Sequence, residues 1–182
     1  MSKLVRETRE TKIEITLVPG TGVADVQTGH AFLDHMMTAF AAYASLDLTL
    51  RASGDLPHHL IEDVAIATGE ALARIVPVRA RRYGERTIPM DDALVHVAAD
   101  LGGRPYYEGP LPSPIWDHWM RSFAMQARAT LHVRVLRGTD KHHVVEAAFK
   151  ALGLSVREAI ADGGALFSTK GSVQWREEDD AC

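Results

Sequence analysis

Cysteine is almost missing from this chain of 182 residues: the one present is Cys182, the last position. No disulfide can close within the chain, which fits a reducing compartment. No thiolate set is available for a structural zinc site either. No apolar run approaches membrane-spanning length, and the N-terminal Met-Ser-Lys-Leu-Val-Arg-Glu is charged where a signal peptide would be apolar. Positive charge is not in excess. The formal net charge is −4 with no basic stripe, which argues against a nucleic-acid partner. These absences predict a soluble, cytoplasmic protein with no membrane contact. What remains is ordinary for a globular chain, 46% hydrophobic and 24% charged, enough for one domain or for two small similar halves.

Against that background two stretches stand out, His58-His59-Leu60-Ile61-Glu62 and His142-His143-Val144-Val145-Glu146. Each is a His-His-x-x-Glu opening a segment with helical apolar spacing: Val64, Ile66, Leu72 and Ile75 after the first, Ala148, Phe149, Leu152 and Val156 after the second. Positions i, i+3 and i+4 share a helix face, so each Glu can stand beside either His of its motif. Adjacent His side chains splay by about 100°, because a helix has about 3.6 residues per turn. They cannot easily serve one ion together, so each pair points to two metal positions receiving one His each. A single copy would read best as a helix start with a capping carboxylate. Two copies favour a metal or catalytic role. Imidazole and carboxylate without thiolate suit manganese, iron, zinc or cobalt.

The rest of the chain repeats around these motifs. Residues 12–18 alternate as a strand, Pro19-Gly20-Thr21-Gly22 turns, and Val23–Thr28 is predicted to return beside the first strand as a hairpin. Phe32–Tyr43 reads as a helix, Leu46–Ala52 as a strand, and the first His-His helix runs to about Val76. Pro77–Met90, rich in Arg, reads as a connector with at most a short strand at 86–88. The order then recurs: strands over 93–99 and 104–108, a helix over 116–127, a strand over 130–136 and the second His-His helix over 141–161, closed by Gly163-Gly164. Asp34-His35-x-Met37-x-x-Phe40 is echoed by Asp117-His118-x-Met120-x-x-Phe123. The expected fold is α+β, an internal duplication of β-β-α-β-α halves with sheets packed against a layer of helices. Its parts are residues 1–88 with the connector, 89–172, and an acidic, disordered tail at 173–182.

Two further histidines fill a two-metal inventory, His35 at a helix start and His132 on an alternating strand. With His58, His59, Glu62, His142, His143 and Glu146 they make eight ligands, four for each of two ions. His30, His96 and His118 are expected to be structural or exposed. Ser168-Thr169-Lys170-Gly171 is a weak anion-binding pattern. Arg82, Arg104 and Lys150 read, on composition alone, as solvated charges.

The chain resembles the imidazoleglycerol-phosphate dehydratase family over nearly its whole length. The resemblance is carried by Thr28-Gly29, Asp34-His35-Met36, Gly54-Asp55-Leu56, His58-His59-x-x-Glu62-Asp63, Arg82-Tyr83-Gly84, Asp100-Leu101-x-Gly103-Arg104-Pro105-Tyr106, Leu131-His132-Val133-Arg134, His142-His143-x-x-Glu146 and Ser168-Thr169-Lys170-Gly171. It implies a lyase of histidine biosynthesis that dehydrates imidazole glycerol phosphate to imidazole acetol phosphate. It implies two Mn2+ per chain on the eight ligands above, and phosphate contacts from Arg82, Arg104, Lys150, Ser168 and Lys170. Glu10 is implied as an acid–base group, with His58, Glu62, His142 and Glu146 at the reacting centre. It also implies a homo-oligomer of roughly 24 subunits built from trimers, with shared active sites. The chain departs from the family at the stretch before His58, shortened to Pro57, and at Ala39 and Tyr43, where the family has glutamine and histidine. Those departures bear on substrate positioning. The competing readings are a dinuclear metallohydrolase acting on a related phosphate ester and a non-catalytic shell assembled by metal.

Overall fold

Residues 1–164 are described by the computed structural model. The chain opens with an antiparallel hairpin of β1 (Ser2–Glu7) and β2 (Thr11–Pro19). Along β2 the apolar positions Ile13, Ile15 and Leu17 are buried while Lys12 and Glu14 face out, the alternation of a half-covered sheet. Next come β3 (Ala24–Gln27), α1 (Ala31–Ala44), β4 (Leu46–Gly54) and α2 (Pro57–Ala73). The sheet order is β1-β2-β4-β3, with β3 parallel to β4 and the other pairs antiparallel.

The second half repeats this plan. It runs β5 (Tyr83–Met90), β6 (Ala93–Leu101), β7 (Tyr106–Glu108), α3 (Pro114–Gln126), β8 (Ala129–Arg137) and α4 (Lys141–Ala159). Its sheet order is β5-β6-β8-β7, again with one parallel pair, β7 on β8. The fold is α+β, two repeated halves each with a mixed four-stranded sheet. Among the described residues no helix is long and apolar enough to cross a membrane.

Each half begins with one strand more than the sequence pattern predicts. In the first, the hairpin joins residues 2–19, and Val23–Thr28 does not return along β2. The reason is Asp47 at the start of β4, whose carboxylate accepts from the backbone N–H groups of Thr21, Gly22 and Val23 at 2.9–3.0 Å. That draws the loop to β4 and sets β3 parallel to it. In the second, the Arg-rich connector contains the eight-residue β5. The strand is hard to read because its inward positions are Gly84, Arg86, Ile88 and Met90, a weak apolar stripe. Gly84 is required there, since a Cβ would lie 2.0 Å from the Ser155 carbonyl oxygen of α4.

The helices of one half pack on those of the other, α1 on α4 and α2 on α3, with the two sheets outside. The crossings are close because each has a glycine. A Cβ on Gly69 of α2 would sit 2.6 Å from the Phe123 carbonyl oxygen of α3, and one on Gly153 of α4 would sit 2.9 Å from that of Phe40 on α1. The motif spacing that separates the His-His pairs also separates these glycines, so the duplication extends to the packing. Trp119, Phe40, Phe123 and Phe149 fill the centre, with Trp119 stacked on Phe123 at 5.2 Å.

Candidate metal centres and their surroundings

Four helix starts carry the polar residues of the interior, and each is fixed by its own capping contacts. At α1, His30 Nδ1 accepts from the Leu33 N–H, and Asp34 accepts from the backbone and hydroxyl of Thr28. At α3, Asp117 accepts from the Leu111 N–H at 2.8 Å and the Tyr107 hydroxyl at 2.5 Å. Burial and that carboxylate push the Tyr107 hydroxyl pKa far up, so it stays a donor. The α4 start is capped by Asp140, which accepts from the His142 N–H, and Pro57 opens α2 with a preset φ. Buried Asp63 accepts from Arg6 at 2.8 Å and from the Thr11 hydroxyl, tying α2 to the first hairpin.

These anchors bring six side chains into two groups. In the first, Glu62 lies 3.7 Å from His58 Nε2 and 3.1 Å from His118 Nε2. In the second, one oxygen of Glu146 lies 3.3 Å from both His35 Nε2 and His142 Nε2. Within each group the candidate ligand atoms all fall within 4.8 Å of one another. Ligands about 2.1 Å from a shared ion are roughly 3 Å apart at right angles, so this spacing fits a divalent ion. A second observation agrees: His118 Nε2 is a buried atom whose approach to Glu62 lacks hydrogen-bond geometry. A buried ring nitrogen left unpaired is costly unless something else binds it.

The two groups are built reciprocally. Each takes His and Glu from the His-His helix of one half and a His from the Asp-His helix of the other. His118 is therefore the counterpart of His35, and the sequence reading passed over it although the Asp34-His35 and Asp117-His118 echo was in view. His132, chosen in its place, meets neither group. On β8 the residues at 129, 131 and 133 are buried, so His132 projects from the opposite face, exposed and 5.7 Å from the Tyr106 ring.

The second histidine of each pair turns aside, as the helical splay requires. The ring planes of His58 and His59 meet at 79°, those of His142 and His143 at 88°. His59 Nδ1 is 2.8 Å from Asp55 and 3.6 Å from Glu10. His143 Nδ1 is 2.8 Å from Asp92, with Asp91 3.4 Å from its Nε2. The hydrogen bond to aspartate raises the pKa of each histidine, and Asp92 is held well below the usual carboxylate range first by the Thr139 N–H and then by His143. Neither His59 nor His143 belongs to a three-ligand group among the described residues.

Among the described residues, the cations assigned to phosphate do not gather within one chain. Arg82 is held bidentate by Asp100 at 2.6 and 3.0 Å, and Arg104 is exposed on the adjoining turn. Lys150 lies elsewhere, 2.9 Å from Glu146 and 3.7 Å from the sulfur of Met90. Arg82 precedes β5 and Met90 ends it; the six steps from Gly84 to Met90 span about 20 Å. Burial favours the neutral form of Glu146, but Lys150 and His35 outweigh it and the carboxylate pKa falls, while the ion pair raises that of Lys150. Ser168 and Lys170 lie outside the described residues, as does the acidic tail. Glu10 is exposed on a cavity of about 280 Å³ bounded by the β1–β2 turn and Gly54. A second cavity of about 240 Å³, walled by Phe32, Trp116 and Val145, adjoins His142. Ala39 is buried, and Tyr43 lies under the Lys150 ammonium at 5.7 Å.

A duplicated α+β fold with two reciprocal His2Glu groups defines a candidate divalent-metal protein of dinuclear type. A family model described as Imidazoleglycerol-phosphate dehydratase matches residues 28–156. The chain is similar to the enzyme of that name from Pyrobaculum calidifontis, 47% identical over 185 residues covering 93% of this chain and 98% of the relative. It is 40% identical to that from Rhodococcus opacus, with 95% and 98% covered. Among solved structures it resembles IGPD from Pyrococcus furiosus, with a TM-score of 0.84 and 37% identity over 93% of this chain and all of that one. The Staphylococcus aureus structure gives 0.78 and 30%, covering 89% of this chain and 99% of that one. The chain belongs to the imidazoleglycerol-phosphate dehydratase family.

Proposed function

We propose that this chain dehydrates imidazole glycerol phosphate to imidazole acetol phosphate in histidine biosynthesis, a carbon–oxygen lyase reaction that proceeds with two Mn2+ per chain. The observation that carries the reading is the reciprocal pair of His2Glu groups, present in a member of this family. His58, Glu62 and His118 would hold one ion; His35, His142 and Glu146 would hold the other. His59 and His143, turned to other faces, are the remaining imidazoles of the two motifs and would complete the centres of neighbouring copies. His132 has no place in this set.

The chemistry sets the demands on the residues. The proton removed has no adjacent carbonyl to accept its electrons, so the imidazole ring must take them as hydroxide leaves. Bound ions supply Lewis acidity and a template for that ring. Glu10, exposed at its cavity, would move a proton. Arg82 and Arg104 would take the phosphate, with Ser168 and Lys170. Lys150 sits beside Glu146 and, in the same chain, far from Arg82. A complete site, with ring and phosphate both held, would therefore be supplied by more than one chain, which supports a homo-oligomer; the family resemblance implies roughly 24 subunits built from trimers. The working compartment is the cytoplasm.

The test is direct. Purified protein with Mn2+ and imidazole glycerol phosphate is expected to yield the ketone, read as its enolised form after alkaline quench. Release of inorganic phosphate without that product would point instead to a dinuclear hydrolase, and no turnover at all to a metal-assembled shell.

A further inference from the structure

The two halves offer the same pair of positions around the second histidine. Gly54-Asp55 and Gly138-Thr139 precede the His-His motifs at equal spacing, while Glu10 and Asp92 end the turns before β2 and β6. These positions touch in both halves. The Asp55 N–H donates to the Glu10 carbonyl at 3.0 Å, and the Thr139 N–H donates to the Asp92 carboxylate at 2.6 Å. Yet a gripping carboxylate fills a different position in each. Asp55, on the helix side, takes His59 at 2.8 Å in the first half; Asp92, on the turn side, takes His143 at 2.8 Å in the second. The vacated partner positions differ too. Thr139 has no acid and donates its hydroxyl to Asp92 at 2.8 Å, whereas Glu10 keeps a carboxylate standing 3.6 Å from His59.

An ionised carboxylate only accepts hydrogen bonds, so the ring nitrogen facing it must carry the proton. Asp55 and Asp92 thus select the tautomer with hydrogen on Nδ1 and the lone pair on Nε2. A metal-binding imidazole is commonly oriented by such an outer carboxylate.

We infer that Asp55 and Asp92 are positioning residues for His59 and His143, and that Asp55, by taking this task, leaves the Glu10 carboxylate free for proton transfer. This rests on the reading above that both histidines are ligands. It also gives the shortened stretch before His58 a use: with Pro57 alone between Leu56 and the motif, Asp55 stands just ahead of α2 and its carboxylate reaches His59 in the first turn at 2.8 Å.

The experiment is Mn2+ titration of chelator-stripped protein by calorimetry, with melting in chelator as the control for fold. Asp55→Asn and Asp92→Asn replace an acceptor by an amide that can also donate, so the ring is free to take the wrong tautomer. Each is expected to weaken Mn2+ binding about 10- to 100-fold. Asp55 accepts from the Leu56 N–H, a bond the asparagine oxygen can keep, so Asp55→Asn should melt in chelator close to the parent. Asp92 also holds the Thr139 and Asp140 N–H groups, so should Asp92→Asn melt lower, Asp55→Asn decides. Glu10→Gln alone should lower turnover and leave Mn2+ affinity as it was. In an Asp55→Asn background the same change should weaken Mn2+ binding further, because Glu10 is then the nearest carboxylate to His59. If the parent binds Mn2+ and Asp55→Asn binds it equally well, the positioning role is overturned while the metal reading stands. If Glu10→Gln alone weakens Mn2+ binding as much as Asp55→Asn does, the division between the two acids is overturned. A parent that binds no Mn2+ overturns both readings together.

Discussion

A ligand's identity depends on where its side chain points, and at this scale His118 and His132 part company. His118 Nε2 is buried and 3.1 Å from Glu62 without hydrogen-bond geometry, while His132 stands on the outer face of the second sheet. His118→Ala is expected to lower bound Mn2+ from about two per chain towards one, and His132→Ala to leave it unchanged, by elemental analysis of protein prepared without chelator. Equal loss in both variants would return His132 to the set. The duplicated His-His-x-x-Glu was legible in the sequence because both residues of a contact lie on one helix. His118 was harder to place because its partners, His58 and Glu62, lie more than fifty residues away. The internal echo with His35 was the available signal. For His132 the strand's alternation already placed it opposite Leu131 and Val133, which are buried.

At the scale of elements, the halves are joined where helices cross over glycine. A methyl on Gly153 would come within 2.9 Å of the Phe40 carbonyl and 2.8 Å of the Tyr43 Cβ, and backbone on both sides cannot yield cheaply. Alanine gains about 1 kcal/mol in helix propensity, but overpacking costs about 1–3 kcal/mol. Gly153→Ala is therefore expected to lower stability by up to about 2 kcal/mol, measured by denaturant unfolding in chelator. Asp47 gives a second prediction at this scale. Its carboxylate is held below the ordinary range chiefly by the Val23 and Thr21 N–H groups. A lowered folded pKa stabilises above the unfolded value of 3.8 and is lost as pH falls through the folded one. Asp47→Asn should thus be less stable than the parent at pH 7, with the gap closing below about pH 4 in unfolding curves. The helices and β2, β4, β6 and β8 were readable from apolar period. β1 and β5 were not, since their inward positions include Ser2, Arg6, Gly84 and Arg86, of which Arg6 meets Asp63 of α2 while Gly84 and Arg86 meet Ser155 and Glu158 of α4.

For the whole molecule, the decisive fact is what one chain leaves apart. His59 and His143 face away from both ligand groups, and Arg82 lies about 20 Å along β5 from the Lys150 end. In the site proposed above, copies of the chain join those parts and the ions link them. Assembly should accordingly need metal: light scattering is expected to show a large particle with Mn2+ and a much smaller one with chelator. The pH dependence follows from the raised pKa values of His59 and His143, both set by aspartate. Ions bind the neutral ring, and each raised pKa lets protons compete with them at higher pH than at a free histidine, so the particle should come apart as pH falls from about 7 to 5. The sign for the single chain is opposite. A raised histidine pKa stabilises the fold below the unfolded value and loses that contribution as pH rises through the folded one. Dissociation on acidification is therefore expected to leave helical circular dichroism in place until the carboxylates titrate. A particle of constant mass with Mn2+, with chelator and at pH 5 would show that the second histidines of the two motifs do not join neighbouring copies.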